Sequence, residues 1–108
     1  PPPPPNAVDD EITTDFNQSV EIFVLTNDLD GASTIDAATV FIASQPVNGS
    51  ALANITGTIS YTPDTNFSGL DPFTYTVRDS ASITSNAAIV SVTVSEAPAP
   101  DLYANGYT

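Results

Sequence analysis

Across residues 6–96 apolar and polar side chains alternate with a period of two, in runs rich in Val, Ile, Thr, Phe and Tyr. No stretch sustains the 3.6-residue spacing of an amphipathic helix. The alternation predicts strands over residues 11–14, 19–25, 39–44, 50–54, 58–62, 72–78 and 87–95. Successive side chains of a strand point to opposite faces, so one set belongs to a core. That set is Val20, Ile22 and Val24; Val40 and Ile42; Ile59 and Tyr61; Phe73, Tyr75 and Val77; and Ala88, Val90, Val92 and Val94. Thr74, Thr76, Ser91 and Thr93 then face water, and Phe23 and Phe41 fall on the outward side of their strands. Seven short strands in about 90 residues is sandwich spacing, so the expected fold is an all-β, seven-stranded Greek-key β-sandwich. Pro46-Val47-Asn48-Gly49 and Asn54-Ile55-Thr56-Gly57 read as tight hairpin turns with glycine where φ is positive. Phe67, in a longer crossover, is placed to plug one end of the core.

Proline marks the boundaries. Residues 1–5 are all proline and predict a stiff, extended linker outside any core; Ala97-Pro98-Ala99-Pro100 follows the last apolar run. The expected organisation is a linker at residues 1–5, one folded unit at residues 6–96, and a second linker at residues 97–108 that includes the first strand of a following, truncated repeat. The repeat is read from the tail: laid on residues 5–13, residues 100–108 repeat proline, apolar, apolar and threonine in register. No apolar run approaches the roughly 20 residues that span a bilayer.

Charge narrows the chemistry. The 108 residues hold one Lys+Arg, which is Arg78, against 13 Asp+Glu, for a formal net charge of −12. Such a surface repels nucleic-acid phosphates and anionic headgroups, which argues against nucleic-acid partners and membrane insertion. His, Cys, Met and Trp are absent, so imidazole, thiolate and soft-metal chemistry are unavailable. Only carboxylate pairs such as Asp9 with Asp28 could serve as acid and base, and a sandwich pole without a cleft argues against an enzyme. In a Greek-key sandwich the chain start and the second-to-third, fourth-to-fifth and sixth-to-seventh loops share one pole. That pole would gather Asp9, Asp10, Asn27, Asp28, Asp30 and Asp79. Clustered carboxylates oppose folding unless water or a cation separates them, and an all-oxygen donor set suits a hard ion taking 6 to 8 ligands. Ca2+ is the expected cofactor, with magnesium second; the alternative is that these aspartates are turn formers. The opposite pole carries Asp15, Asp64, Asp71 and Glu96. Asp71, directly before a core strand, is its strongest candidate for a junction ligand.

Asn6-Ala7-Val8-Asp9-Asp10, Val24-Leu25-Thr26-Asn27-Asp28-Leu29-Asp30, Gln45-Pro46-Val47-Asn48-Gly49, Ile59-Ser60-Tyr61-Thr62-Pro63 and the run from Phe67 to Asp79 together resemble the bacterial cadherin-like, immunoglobulin-like tandem repeats of large secreted adhesins of the RTX type. The resemblance spans about residues 6–94. It implies a non-catalytic structural repeat of an extracellular adhesin or surface filament, with calcium at the domain junctions stiffening the stalk. Asp28, Asp30 and Asp79 stand where cadherin-like domains present ligands to the incoming linker. Expected partners are neighbouring repeats of the same protein, end to end or also sideways, and a cell-surface or polysaccharide target. The competing reading is an accessory or carbohydrate-binding β-sandwich module of a secreted polysaccharide-active enzyme.

Overall fold

Among the described residues the period-two alternation becomes eight strands in two sheets, the seven expected and one further two-residue strand. The computed structural model describes residues 2–97, with β1 at Asp10–Thr14, β2 at Val20–Ile22, β3 at Ile35–Ser44, β4 at Gly49–Ala53, β5 at Ile59–Pro63, β6 at Gly69–Leu70, β7 at Phe73–Asp79 and β8 at Ala88–Val94. One sheet has the order β1-β8-β7-β3, with the two-residue β6 also on β8; the other has the order β2-β5-β4. The predicted inward residues supply the filling. Ile22, Ile59 and Tyr61 from one sheet meet Phe73, Tyr75, Val77, Val90, Val92 and Val94 from the other, all buried. The Tyr61 and Phe73 rings stack with centroids 6.3 Å apart. Val20 and Ile42 are only partly buried, and Phe67 packs against the core as expected. Phe23 and Phe41 point outward, 61% and 66% exposed.

Strand direction fixes the poles. β1 runs parallel to β8, from Asp10 opposite Val90 to Thr14 opposite Val94, whereas the other ladders are antiparallel. The chain therefore enters at the pole where β7 ends and β3 begins, and leaves β8 at the opposite pole. The entry pole gathers the segment before β1, the loop between β2 and β3, the β4–β5 turn and the β7–β8 loop.

Three details differ from the sequence reading. The second predicted strand stops at Ile22, and Val24–Asn27 forms a 3-10 turn. Thr26 Oγ bonds back to the Phe23 carbonyl and the Asp28 N–H to the Leu25 carbonyl, which are turn bonds an extended strand would not make. The hairpin prediction holds for the β4–β5 turn, where Gly57 has φ +94. It fails for Pro46-Val47-Asn48-Gly49, because β3 and β4 lie in different sheets and this segment crosses between them.

The third difference is the proline run. It does not stand clear of the domain: Pro5 is fully buried and the Pro3 carbonyl accepts the Ala32 N–H at 3.0 Å. Asn6 and Leu29 exchange backbone hydrogen bonds of 2.8 and 2.9 Å. On the other side, the Asn86 carboxamide accepts from the Ala7 N–H at 2.9 Å and donates to the Ala7 carbonyl at 2.8 Å. Proline lacks an N–H but keeps its carbonyl, and extended proline backbone can be laid against a surface at little further entropic cost. The surface is Gly31, where a Cβ would strike the carbonyls of Pro3 and Pro4. The folded unit thus begins within the proline run. The tail at residues 100–108, read as the start of a further repeat, lies outside the described residues.

Candidate functional site

The entry pole is organised around a hydroxyl. Tyr75 sits in the middle of β7 with its ring in the core, and its OH emerges where the entering segment crosses the β2–β3 loop. It donates to Asp28 Oδ2 at 2.5 Å and lies 3.2 Å from the Val24 carbonyl, 3.4 Å from Asp10 Oδ2 and 3.5 Å from the Val8 carbonyl. Asp28 Oδ1 accepts the Val8 N–H at 2.8 Å, so this one carboxylate ties the loop to the entering segment. Asn27 Nδ2 donates to the Asp9 carbonyl at 3.1 Å, and Asp9 Oδ1 accepts the Ile89 N–H at 2.8 Å.

Two carboxylates therefore share one half-buried corner. Burial, and then the nearby charge of Asp28, push the Asp10 carboxyl up to about 6, against the opposing hydrogen bonds from Asn27 and Tyr75. Burial also raises Asp28, opposed by its bonds from Tyr75 and the Val8 N–H. Tyr75 is raised as well, by its burial and by donating to a carboxylate, so it stays a donor. A carboxyl whose folded pKa lies above its unfolded value of 3.8 favours the folded state when protonated. Its contribution is complete below about 3.8 and is lost as pH rises through about 6. The melting temperature is therefore expected to fall between pH 5 and pH 7 at constant ionic strength. Asp10→Asn should flatten that fall in calorimetric melts, and an unchanged slope would remove Asp10 as its cause.

The remaining sequence candidates are dispersed. Asp30 is exposed and accepts the Ile35 N–H at 2.9 Å, which starts β3. Asp79 is 2% exposed, and its Oδ1 accepts the N–H groups of Ala81 and Ile83, both at 2.9 Å, to close the β7–β8 turn. Its Oδ2 is buried without a partner among the described residues. Asp71 lies at the far pole, fully buried, with Oδ2 accepting the Tyr61 hydroxyl at 2.6 Å and Oδ1 accepting the Asn48 N–H at 3.0 Å. Those bonds leave it no face toward solvent or a neighbouring domain, so its place in the fold is that of an internal brace. Asp9, Asp10, Asn27 and Asp28 are thus brought together, while Asp30, Asp79 and Asp71 each serve their own segment. Among the described residues no three carboxylates stand close enough to hold a metal ion by themselves.

Sequence reasoning treated Tyr75 only as core and overlooked Asn86. Period-two alternation reports which face a ring occupies and nothing about where its hydroxyl ends. Asn86 meets Ala7 across 79 positions of chain, and local spacing carries no trace of such a pair.

No helix among the described residues is long and apolar enough to cross a membrane. No curated protein matches the sequence. The two-sheet architecture agrees with a family model described as "Bacterial Ig domain", which matches residues 2–93 of the 108 and begins, as the fold does, inside the proline run. The chain belongs to the bacterial Ig domain family.

Proposed function

We propose that this domain is a non-catalytic spacer repeat of an extracellular, adhesion-type protein, joined end to end to similar domains, with calcium held at the entry pole. The observation that carries this reading is the parallel pairing of β1 with β8, which sends the chain in at one pole and out at the other. A domain with opposed termini adds its length to an array. The clamped segment before β1 supports it further, because a linker bonded to Leu29, Ala32 and Asn86 transmits the orientation of the preceding domain.

Calcium is supported by donor chemistry and by the frustration at Asp10. Oxygen ligands alone suit a hard cation, and a cation beside Asp10 and Asp28 offsets the burial that raises both carboxyls and the Asp28 charge that raises Asp10 further. This chain alone supplies too few carboxylates, so such an ion draws further oxygens from water and from the exit pole of the preceding repeat, where the counterparts of the exposed Asp15, Asp64 and Glu96 lie. Thermal melts of this chain in chelator, magnesium and calcium test the point. With a Kd of about 10⁻⁴ M, about 10 mM calcium adds about 2.7 kcal/mol, or at least several degrees in Tm. Asp28→Ala/Asp30→Ala should abolish the gain. Coincident curves in all three conditions leave the pole as turn-forming aspartates and remove calcium from the account.

A further inference from the structure

Among the described residues β1 and β3 bound one sheet and β2 and β4 the other, and the two-residue β6, paired only to β8, adds a fifth, very short edge. An open edge is a row of unpaired N–H and C=O groups that templates pairing with another chain, and charge is a common guard against it. β1 carries Asp10 and Glu11, β2 carries Glu21, and β3 carries Asp36 and has an irregular register between Asp36 and Phe41. β4 is Gly-Ser-Ala-Leu-Ala, with no charge at all. Its Leu52 is 66% exposed, and Ile55 and Val47 beyond its two ends are 82% and 87% exposed.

What stands at this edge is the side chain of Gln45. Its Nε2 donates to the Ala51 carbonyl and its Oε1 accepts the Ala51 N–H, both at 3.0 Å. Ala51 lies opposite Tyr61 in the β4–β5 ladder, and these two groups turn away from β5 toward the open side. A carboxamide offers the same donor and acceptor as a backbone peptide. Gln45 therefore fills the place of one residue of a missing strand.

We propose that the outer edge of β4 is a strand-pairing surface for β4 of a second copy of this chain, and that Gln45 holds it shut. The edge is self-complementary. In an antiparallel pair about a two-fold axis at Ala51, each Ala51 gives its N–H to the other and accepts in return. Ser50 then faces Leu52 and Gly49 faces Ala53, with no like charges opposed. On a chain of net charge −12, β4 is, among the described residues and apart from the two-residue β6, the one edge strand that lacks an acidic residue to repel its own kind. If the repeat reading holds, neighbouring copies meet at high local concentration, where edge pairing leads to misassembly, and Gln45 keeps them as separate beads.

Sedimentation equilibrium of the whole chain over a wide concentration range, with hydrogen exchange at the Ala51 amide, tests the proposal. The wild-type chain is expected to stay monomeric. Gln45→Ala is expected to form a species of doubled mass as concentration rises, with the Ala51 amide fast-exchanging in the monomer and protected again in the dimer. Gln45→Met, similar in length but unable to make either hydrogen bond, should do the same while keeping the packing of the wild-type side chain. Adding Leu52→Glu to either variant should restore the monomer, because the two-fold axis brings the introduced carboxylates together. Variants that remain monomeric at every concentration overturn the proposal. So does association that persists after Leu52→Glu, which would mark it as aggregation unrelated to this edge.

Discussion

Asp71→Ala is expected to be the most damaging single substitution in the domain, lowering stability by about 3–5 kcal/mol. The carboxylate is fully buried and joins three parts of the far pole: the crossover ahead of β7, the Asn48 backbone between the sheets, and the Tyr61 hydroxyl rising from β5. Its removal strands the buried Tyr61 hydroxyl and the half-buried Asn48 N–H and leaves a void beside the stacked Tyr61 and Phe73 rings. Against the roughly 5–15 kcal/mol that holds an ordinary domain together, such a loss brings the chain close to unfolding at physiological temperature. Tyr61→Phe should cost less, about 1.5–3 kcal/mol, because one donor to a charged group is lost and the Asn48 bond remains. The two are coupled, so the double variant should fall well short of the sum. Urea unfolding of the two single variants and the double variant measures this directly. A solvated loop aspartate would instead give a change within about 0.5 kcal/mol.

For Gly31→Ala the expected result turns on sign. At a surface glycine with ordinary backbone angles, alanine usually stabilises by about 0.4–1 kcal/mol because the unfolded chain loses freedom. Gly31 has no positive φ, and the obstacle is what lies over it, the carbonyls of Pro3 and Pro4. With the proline segment docked, the added methyl forces that backbone away and weakens the Ala32-to-Pro3 hydrogen bond, for a net loss of about 1–3 kcal/mol. Amide exchange should locate the damage at Ala32 and Leu29, the two loop amides bonded to backbone carbonyls of the entering segment. In a chain lacking residues 1–5 the same substitution should become neutral or stabilising. A stabilising effect in the intact chain would mean that the prolines do not rest on this glycine.

The contrast between these two sites shows how far alternation carries. Val90, Val92 and Val94, or Phe73, Tyr75 and Val77, are legible because a half-buried strand must place every second residue inside, and the structure buries all six. The pole shared by Asp9, Asp10, Asn27 and Asp28 follows from strand order, which strand count and turn positions constrain. What alternation cannot report is a polar contact closed by tertiary packing. Asp71 looked like a junction ligand because the residues that brace it, Tyr61 and Asn48, lie 10 and 23 positions away in sequence. Asp79 looked like a ligand and is turned into its own loop by the Ala81 and Ile83 amides. The proline run looked like a free spacer because proline stiffness says nothing about whether a neighbouring loop offers Gly31 as a bed.

In the proposed end-to-end array, those contacts would set how the domain carries load. Tyr75 anchors the entry pole through Asp28, and Tyr61 anchors the exit side through Asp71, so each core tyrosine ties one end to the same packed interior. A load applied between the poles would be borne by β1 and β8 in parallel register and by the clamped segment ahead of them.

Small-angle X-ray scattering from a chain carrying two consecutive copies, recorded in chelator and in calcium, tests the end-to-end reading most directly. Opposed entry and exit with a docked linker predict a rod whose maximum dimension approaches twice that of a single copy, and whose profile sharpens toward a single rigid shape when calcium is added. A two-copy particle scarcely longer than one copy, in either condition, would contradict the account, since it would mean that the domains fold back side by side and add no length.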